Sequence, residues 1–562
     1  MSYDWAFDYL VSLYGKEKTL RYFTPYTYKT ISIYSKAAGI MLCGVSFLVW
    51  RLRNLASTKF RQAIQLLTRG LGQPPRNGLS GHWRRDWPYV VAICFIGLLL
   101  RLYFLNREIR YDEACTYLRF ASKPLWIGLS AYTVPNNHLF HTLLVHATTG
   151  LIGEELWAIR LPALIAGAAL PFLSYVCAEL VATRGSGTWA AAIVAGSSIA
   201  VEYSVNARGY TLVSVFCILS WIALWLGVET KRPVYLAIFA GCIWLGMWTL
   251  PTMLFSFVAA VIWFFAIVRR YRRYTRDVLT KRFLSCCILG IILAGLCYLP
   301  PLLANGPSRV FANKYVSPRN LDGFLKGNAI ELKTAWNQWH RDGIPGIGVI
   351  WAVAACLFLS GPARKRPIFM MAAILAGTTF ALVVFRQMVP YARVYLFLLP
   401  VYAILVGGAF SRVVLVLTGN AGSAGPVVNG GLAVLCCVGL ALQVAQKQSV
   451  AESTETGAMP GAREVALQLK REGVCWSQVK AGHVSQIILE YYWFHDKRIV
   501  REVARSSRAS CAAGLKGGIN LSQNERAERV LGKGWADLYE TKSERKVGAV
   551  IVLDLAPKRQ SI

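Results

Sequence analysis

The chain has 562 residues, of which 55% are hydrophobic and only 16% charged, and its mean hydropathy is +0.42. A soluble globular chain carries about 25% charged residues, so the composition excludes that class and indicates a polytopic helical membrane protein. The net charge of +32 arises from 61 Lys and Arg against 29 Asp and Glu. Most of the basic residues cluster in short loops between apolar runs, so the positive-inside rule accounts for them without a nucleic-acid partner. Such a surface also suits anionic membrane lipids.

The N-terminus, MSYDWAFDYL, carries two acids and lacks the pattern of a cleavable signal peptide. Residues 36–50 are apolar but short, a marginal membrane helix, and 51–87 are basic and read as cytoplasmic. The apolar run 88–105 then runs outward and delivers REIRYDEACT, residues 107–116, to the external face. Residues 113–134 suit short amphipathic helices on the membrane surface. The stretch 135–152, PNNHLFHTLLVHATTGLI, is expected to be interfacial or re-entrant, because a full span there would place the basic cluster 269–282 outside. Spans follow at 156–180, 188–204, 211–228, 233–250, 252–268, 283–304, 346–360, 367–385, 394–411 and 428–446. The loop 305–345 is external, and helical spacing puts Trp336, Trp339 and His340 on one face, as an aromatic belt or a sugar- or lipid-contacting surface.

Composition changes after residue 447. A helix is expected at 461–472, a strand at 474–481, a helix at 484–494 and a buried strand at 547–554. The expected organisation is an N-terminal extension (1–87), a transmembrane catalytic domain (88–450) and a small soluble α/β domain (451–562) on the external side. The 14 cysteines lack metal-ligand spacing and lie mostly in apolar runs; Cys475 and Cys511 are placed to pair if their segment is extracytoplasmic.

Three groups carry candidate chemistry. Asp112 and Glu113 form an acid pair just past a membrane helix, where carboxylates are expensive and tend to be functional. A carboxylate there could act as a general base or hold a divalent cation. Asn136, Asn137 and His138 could orient a sugar or phosphate or bind a metal. Glu202–Tyr210, EYSVNARGY, contributes Arg208, whose forked guanidinium suits a phosphate. Arg386 and Arg393 add cations beside Pro390-Tyr391. No Walker motif or GxGxxG loop is present, so energy must come from an activated substrate or a gradient.

The ordered set YDEACT, PNNHLFHTLL, GEELWAIRLPALIAG and YSVNARGYTL resembles the GT-C membrane glycosyltransferases. The group includes protein O-mannosyltransferases and bacterial transferases that place aminoarabinose or galacturonic acid on lipid A. The resemblance covers residues 88–230 best and extends in architecture to about 450. With the apolar runs above, which give about 11–13 transmembrane helices, it implies an all-α polytopic fold of GT-C type in a cell membrane, a bacterial inner membrane by analogy. It also implies inverting sugar transfer from a polyprenyl-phosphate carrier to a lipid, glycan or protein acceptor on the extracytoplasmic face. On that reading Asp112 is the base and Glu113 assists it. Arg393-Val394-Tyr395-Leu396 resembles a carrier-phosphate motif, bringing in Arg393 and Tyr395, with Arg208 and Tyr210 beside them. The chain departs from members that carry a second acid where it has Ala207-Arg208-Gly209-Tyr210; the nearest acid is Glu202. The alternatives from other classes are a transporter or flippase of a lipid-linked sugar, although no inverted internal repeat is visible, and a non-catalytic scaffold.

Overall fold

The computed structural model describes residues 83–557 apart from internal stretches, the longest being 312–317, 354–366, 500–516 and 523–538. The helix expected at 36–50, most of the N-terminal extension, and Cys475 and Cys511 lie outside the described residues.

Seven described helices are long and apolar enough to cross a membrane: Arg85–Phe104, Leu156–Val181, Tyr210–Thr230, Arg273–Asn305, Pro367–Arg386, Ala392–Leu417 and Val427–Gln446. Leu139–Ile152, Pro233–Thr249 and Met253–Val268 are apolar but shorter. The chain is therefore a multi-pass, predominantly α-helical membrane protein. The count falls below the expected 11–13 for identifiable reasons. Leu139–Ile152 has 14 residues and rises about 21 Å, short of a hydrocarbon core of about 30 Å. The stretch 346–360 is only partly described. The run 188–204, expected as one span, is two helices, Ser186–Gly196 and Ser198–Ser204, parted at Ser197, whose backbone is extended.

Arg101 explains how that break is tolerated. It projects from the first described helix, Trp83–Phe104, and is fully buried. Its Nη1 donates to the carbonyls of Gly97 (2.9 Å) and Ala195 (3.1 Å), its Nη2 to that of Val194 (3.4 Å), and its Nε to Ser204 Oγ (3.0 Å). The guanidinium thus occupies the negative end of the first half-helix, where carbonyls lack intrahelical partners, and holds the second half as well. Close packing completes the corner: a Cβ at Gly167 would lie 1.9 Å from Ser204 Oγ. Small residues of this kind let membrane helices approach closely. The redirected chain carries residues 202–210 toward the loop after Phe104.

The largest core cluster runs through Leu156–Val181, Ser186–Gly196, Tyr210–Thr230, Met253–Val268 and Leu399–Leu417, with Trp221, Trp263 and Phe264 among its buried rings. By contrast, Arg273–Asn305 leaves Ile288, Leu289, Ile291 and Ile292 exposed, as a lipid-facing helix does. In the loop expected to be external, Leu321–Trp339 is helical. The aromatic residues at its end turn toward Leu399–Leu417: His340 Nε2 lies 2.6 Å from Tyr402 Oη, and Trp339 lies against the same ring.

Beyond Gln446 come helices Ala462–Arg471 and His483–His495 and four strands, Val479–Ala481, Gly517–Ser522, Tyr539–Val547 and Val550–Pro557. Their sheet order is first, second, fourth, third; the first pair is parallel and the others antiparallel. The helices do not pack apart from the rest. Leu469, Ile488 and Tyr492 share a core with Ile109, Cys115 and Leu118 of the loop after the first described helix.

Replacing Arg101 by Leu strands the carbonyls of Val194 and Ala195 without a donor, which costs about 3 kcal/mol at a buried site. Thermal unfolding in detergent should show the loss, and an unchanged transition would mean the corner is held by packing alone.

Candidate active site

Within residues 107–116 lies a six-residue helix, Tyr111–Thr116, preceded by Arg110 as its N-cap. Such a helix cannot stabilise itself, and its first N–H groups need outside acceptors. They have them. Arg110 N donates to Glu113 Oε2 (3.1 Å), the reach-back half of a capping box. Tyr111 N donates to the Gly457 carbonyl (2.8 Å), and Asp112 N to that of Thr456 (3.1 Å).

The two acids of this helix lie in opposite environments. Glu113 is fully buried and both of its oxygens are occupied. Arg160 grips it bidentately, Nε to Oε1 and Nη2 to Oε2, each at 2.8 Å, and Ala207 N adds a bond of 2.9 Å to Oε1. The remaining donors of Arg160 take the carbonyls of Leu105, Arg107 and Glu108. Burial alone would raise the Glu113 pKa, but Arg160 and Arg107 outweigh it and bring the value down to about 2. Asp112 is also buried, yet its Oδ2 accepts no hydrogen bond; the nearest cation is Arg393, whose Nη2 lies 3.6 Å away.

Arg208 stands on the neighbouring loop, also buried. Its Nη1 donates to Thr116 Oγ1 (3.0 Å) and to the Asn136 carbonyl (2.7 Å), its Nε is unpartnered, and none of its bonds goes to a carboxylate. Its Nη2 faces His138 Nε2 at 3.0 Å. Because His138 Nδ1 accepts from Gly209 N (2.8 Å), the neutral ring carries its proton on Nε2. Burial, then the charge of Arg208, hold the His138 pKa well below its usual value, so the ring is neutral. Two donors therefore point at one another, an arrangement that a shared anionic oxygen, accepting from both, would relieve. Gly209 allows the approach, since a Cβ there would lie 2.5 Å from Thr249 Cγ2 and 3.1 Å from His138 Nδ1. Arg393 Nε donates to Tyr210 Oη (3.1 Å), and Tyr210 meets His138 edge-on.

Asp112, Asn136, His138, Arg208, Tyr210 and Arg393 are thus brought together. Asn136 contributes its carbonyl to Arg208, and its amide Nδ2 donates to the Asp112 carbonyl at 3.3 Å. Asn137 is spent on local structure: Nδ2 donates to the carbonyls of Gly128 and Ala131, and Oδ1 accepts from Thr142. Tyr395 packs with Ala335 and Ala392, under the helix Leu321–Trp339. Glu202 is fully buried between Arg110 (2.8 Å) and Arg341 (3.1 Å) and also accepts from Ser453 Oγ. Among the described residues no three His, Cys, Asp or Glu side chains converge into a metal-holding set.

Sequence reasoning missed Arg160, Tyr203 and Thr456. Arg160 lay inside an apolar run, and an arginine there signals a buried acid partner. Tyr203 is fully buried with an unpartnered hydroxyl and meets Tyr210 edge-on. The buried polar atoms without partners include Asp112 Oδ2, both ring nitrogens of His141, Tyr203 Oη, Asn206 Oδ1 and Arg208 Nε. Orphans of this kind mark a site arranged for something else to bind.

Residues 136–298 match the family model described as dolichyl-phosphate-mannose-protein mannosyltransferase. No curated protein sequence matches the chain. Among solved structures, ArnT from Cupriavidus metallidurans in the apo state aligns with a TM-score of 0.55 at 12% identity, covering 83% of this chain and 98% of that one. The same enzyme bound to undecaprenyl phosphate aligns with a TM-score of 0.52 at 13% identity, covering 85% and 98%. The fold is thus similar to that of ArnT over most of the chain, and the family-model match falls within the same helical region.

Glu113→Gln leaves Arg160 buried against a neutral partner and should destabilise the protein by about 3–5 kcal/mol. Because the folded pKa of Glu113 is depressed, its contribution is fully present above about pH 4.3, the unfolded value. It is lost as pH falls toward about 2. Acid unfolding of wild type against Glu113→Gln should show the difference closing over that range.

Proposed function

We propose that this protein is a glycosyltransferase that moves a sugar from a polyprenyl-phosphate carrier to a lipid, glycan or protein acceptor on the extracytoplasmic face of the membrane. The observation that carries this reading is the juxtaposition of one unsatisfied carboxylate oxygen, Asp112 Oδ2, with two arginines, Arg208 and Arg393, on separate elements. Burial makes each of these charges count for more than it would in water.

Asp112 Oδ2 takes the proton from the acceptor hydroxyl or amine as that atom attacks the anomeric carbon. The bond from that carbon to the phosphate oxygen breaks, and its electron pair leaves with the carrier phosphate. Arg208 and Arg393 stabilise the charge that grows on the departing oxygen. Attack opposite the leaving phosphate inverts the anomeric centre. His138 presents its Nε2–H beside Arg208, and Tyr210 holds Arg393 in place. Glu113 contributes by fixing the helix that carries Asp112, since its oxygens are already occupied.

The undecaprenyl phosphate bound to the structurally similar ArnT supports a carrier of this class. The extracytoplasmic placement rests on the distribution of basic loops in the sequence. On the same reading, the helices and strands after Gln446 lie on the side of the site, as a small α/β extracytoplasmic unit.

Purified protein supplied with undecaprenyl-phosphate-linked sugars and candidate acceptors should form the glycosylated product. Asp112→Asn should lower turnover by at least about 100-fold while undecaprenyl phosphate still binds. Transfer that survives Asp112→Asn unchanged removes Asp112 as base; movement of the lipid-linked sugar across the bilayer without transfer removes the enzyme.

A further inference from the structure

Residues 449–453 and 455–461, just beyond the last apolar helix, pack against the short helix that carries Asp112 and against the buried acids beside it. Ser449 Oγ donates to Asp342 Oδ1 (2.7 Å), and Ser453 Oγ to Glu202 Oε1 (2.8 Å). The Arg110 guanidinium takes the carbonyls of Val450 (2.6 Å) and Glu455 (2.7 Å). Thr456 and Gly457 supply the carbonyls that receive the N–H groups of Asp112 and Tyr111, and Gly461 N donates to Glu108 Oε2 (3.0 Å).

The crossing has an uncommon backbone. Thr456 has φ +66° and Gly457 has φ +77°, so two successive residues are left-handed, one of them β-branched. A β-branched residue in that region is a genuine outlier that surrounding contacts must enforce. Here the Thr456 hydroxyl accepts from Asn206 Nδ2 (3.3 Å), while its carbonyl accepts from Asp112 N. A Cβ at Gly457 would lie 2.8 Å from Tyr111 Cβ. The left-handed pair turns consecutive carbonyls toward the exposed N-terminal N–H groups of a helix too short to hold its own position.

We propose that Ser449–Gly461 is a positioning strap, with Thr456 and Gly457 the residues that set where Asp112 stands. The inference rests on the assignment of Asp112 as base, but not on the identity of sugar or acceptor. The strap touches Asp112 through the backbone and leaves Oδ2 free. Among the described residues it makes no contact with Arg208 beyond the shared neighbour Asn206; its Glu455 lies near Arg393, and the variants below leave Glu455 in place. Disturbing it should therefore act on turnover and spare carrier-phosphate binding.

The test uses the full chain and three variants. Gly457→Ala forces a Cβ against Tyr111. Thr456→Val removes the hydroxyl and disfavours the left-handed conformation. Thr456→Asn keeps a side-chain acceptor and tolerates that conformation. Gly457→Ala and Thr456→Val should lower kcat by about 10–100-fold, as misplacement of a reacting group does. KM for the undecaprenyl-phosphate-linked sugar and Kd for undecaprenyl phosphate should stay within about twofold, and Thr456→Asn should retain turnover within about threefold. Equal loss in Asn and Val variants, wild-type turnover in Gly457→Ala, or a loss confined to KM would each overturn the strap. Cys115, buried on the same short helix, gives a readout that needs no turnover. Maleimide labelling of Cys115 should rise in Gly457→Ala and Thr456→Val, and not in Thr456→Asn. If wild type transfers no sugar, the proposed function falls while Cys115 still judges the strap: labelling unchanged across all three variants overturns it.

Discussion

The buried pair between Glu113 and Arg160 is the constraint on which the site depends. An ion pair placed so deep is costly to desolvate and repays that cost only when its remaining donors and acceptors are met. Here they are. Arg160 spends its surplus donors on three backbone carbonyls of the loop after the first described helix, those of Leu105, Arg107 and Glu108, and Glu113 accepts from Ala207 on the opposite loop. The pair thereby fixes three things together: the exit from one membrane helix, the short helix that carries Asp112, and the loop that carries Arg208. None of these segments is regular enough to hold its own geometry.

A second pair, Arg110 with Glu202, does the same for the other side of the short helix. It draws in Arg341 and the chain after the last apolar helix. The consequence is a division of labour among the acids. Glu113 and Glu202 are saturated and hold the frame, whereas Asp112, on the same short helix as Glu113, keeps an oxygen without a donor. The arginines divide likewise. Arg110 and Arg160 neutralise structural acids, while Arg208 has no carboxylate among its partners and Arg393 leans on Asp112 and Tyr210.

Much of this was legible in the residues. Apolar runs located most of the helices to within a few positions, because lipid-facing and buried helices both require nearly unbroken hydrophobicity. The extra ten residues at the start of Arg273–Asn305 are basic and carry no such signal. The break at Ser197 was invisible, since GSS inside an apolar run does not announce itself and its stabiliser, Arg101, lies about ninety residues earlier. The candidate chemical groups were found by their charge, but adjacency in sequence suggested that Asp112 and Glu113 share a task. Successive residues on a helix point about 100° apart, so one meets Arg160 and the other Arg393. Asn137 is a polar residue in a promising motif that turns out to be satisfied locally.

The missing second acid takes on a different meaning in this geometry. Of the two arginines, Arg393 faces Asp112 and lies near Glu455, whereas Arg208 has no carboxylate partner, and the neutral His138 beside it adds a donor rather than a proton sink. Another acid at the Arg208 loop would cancel the field that favours an anion between Arg208, His138 and Arg393. On the proposed reading, its absence suits a site that receives the carrier phosphate and leaves proton removal to Asp112. Glu202, the acid nearest to that loop in sequence, is already held by two arginines and a serine, so it supports the frame of the site and is not free to act as a second base.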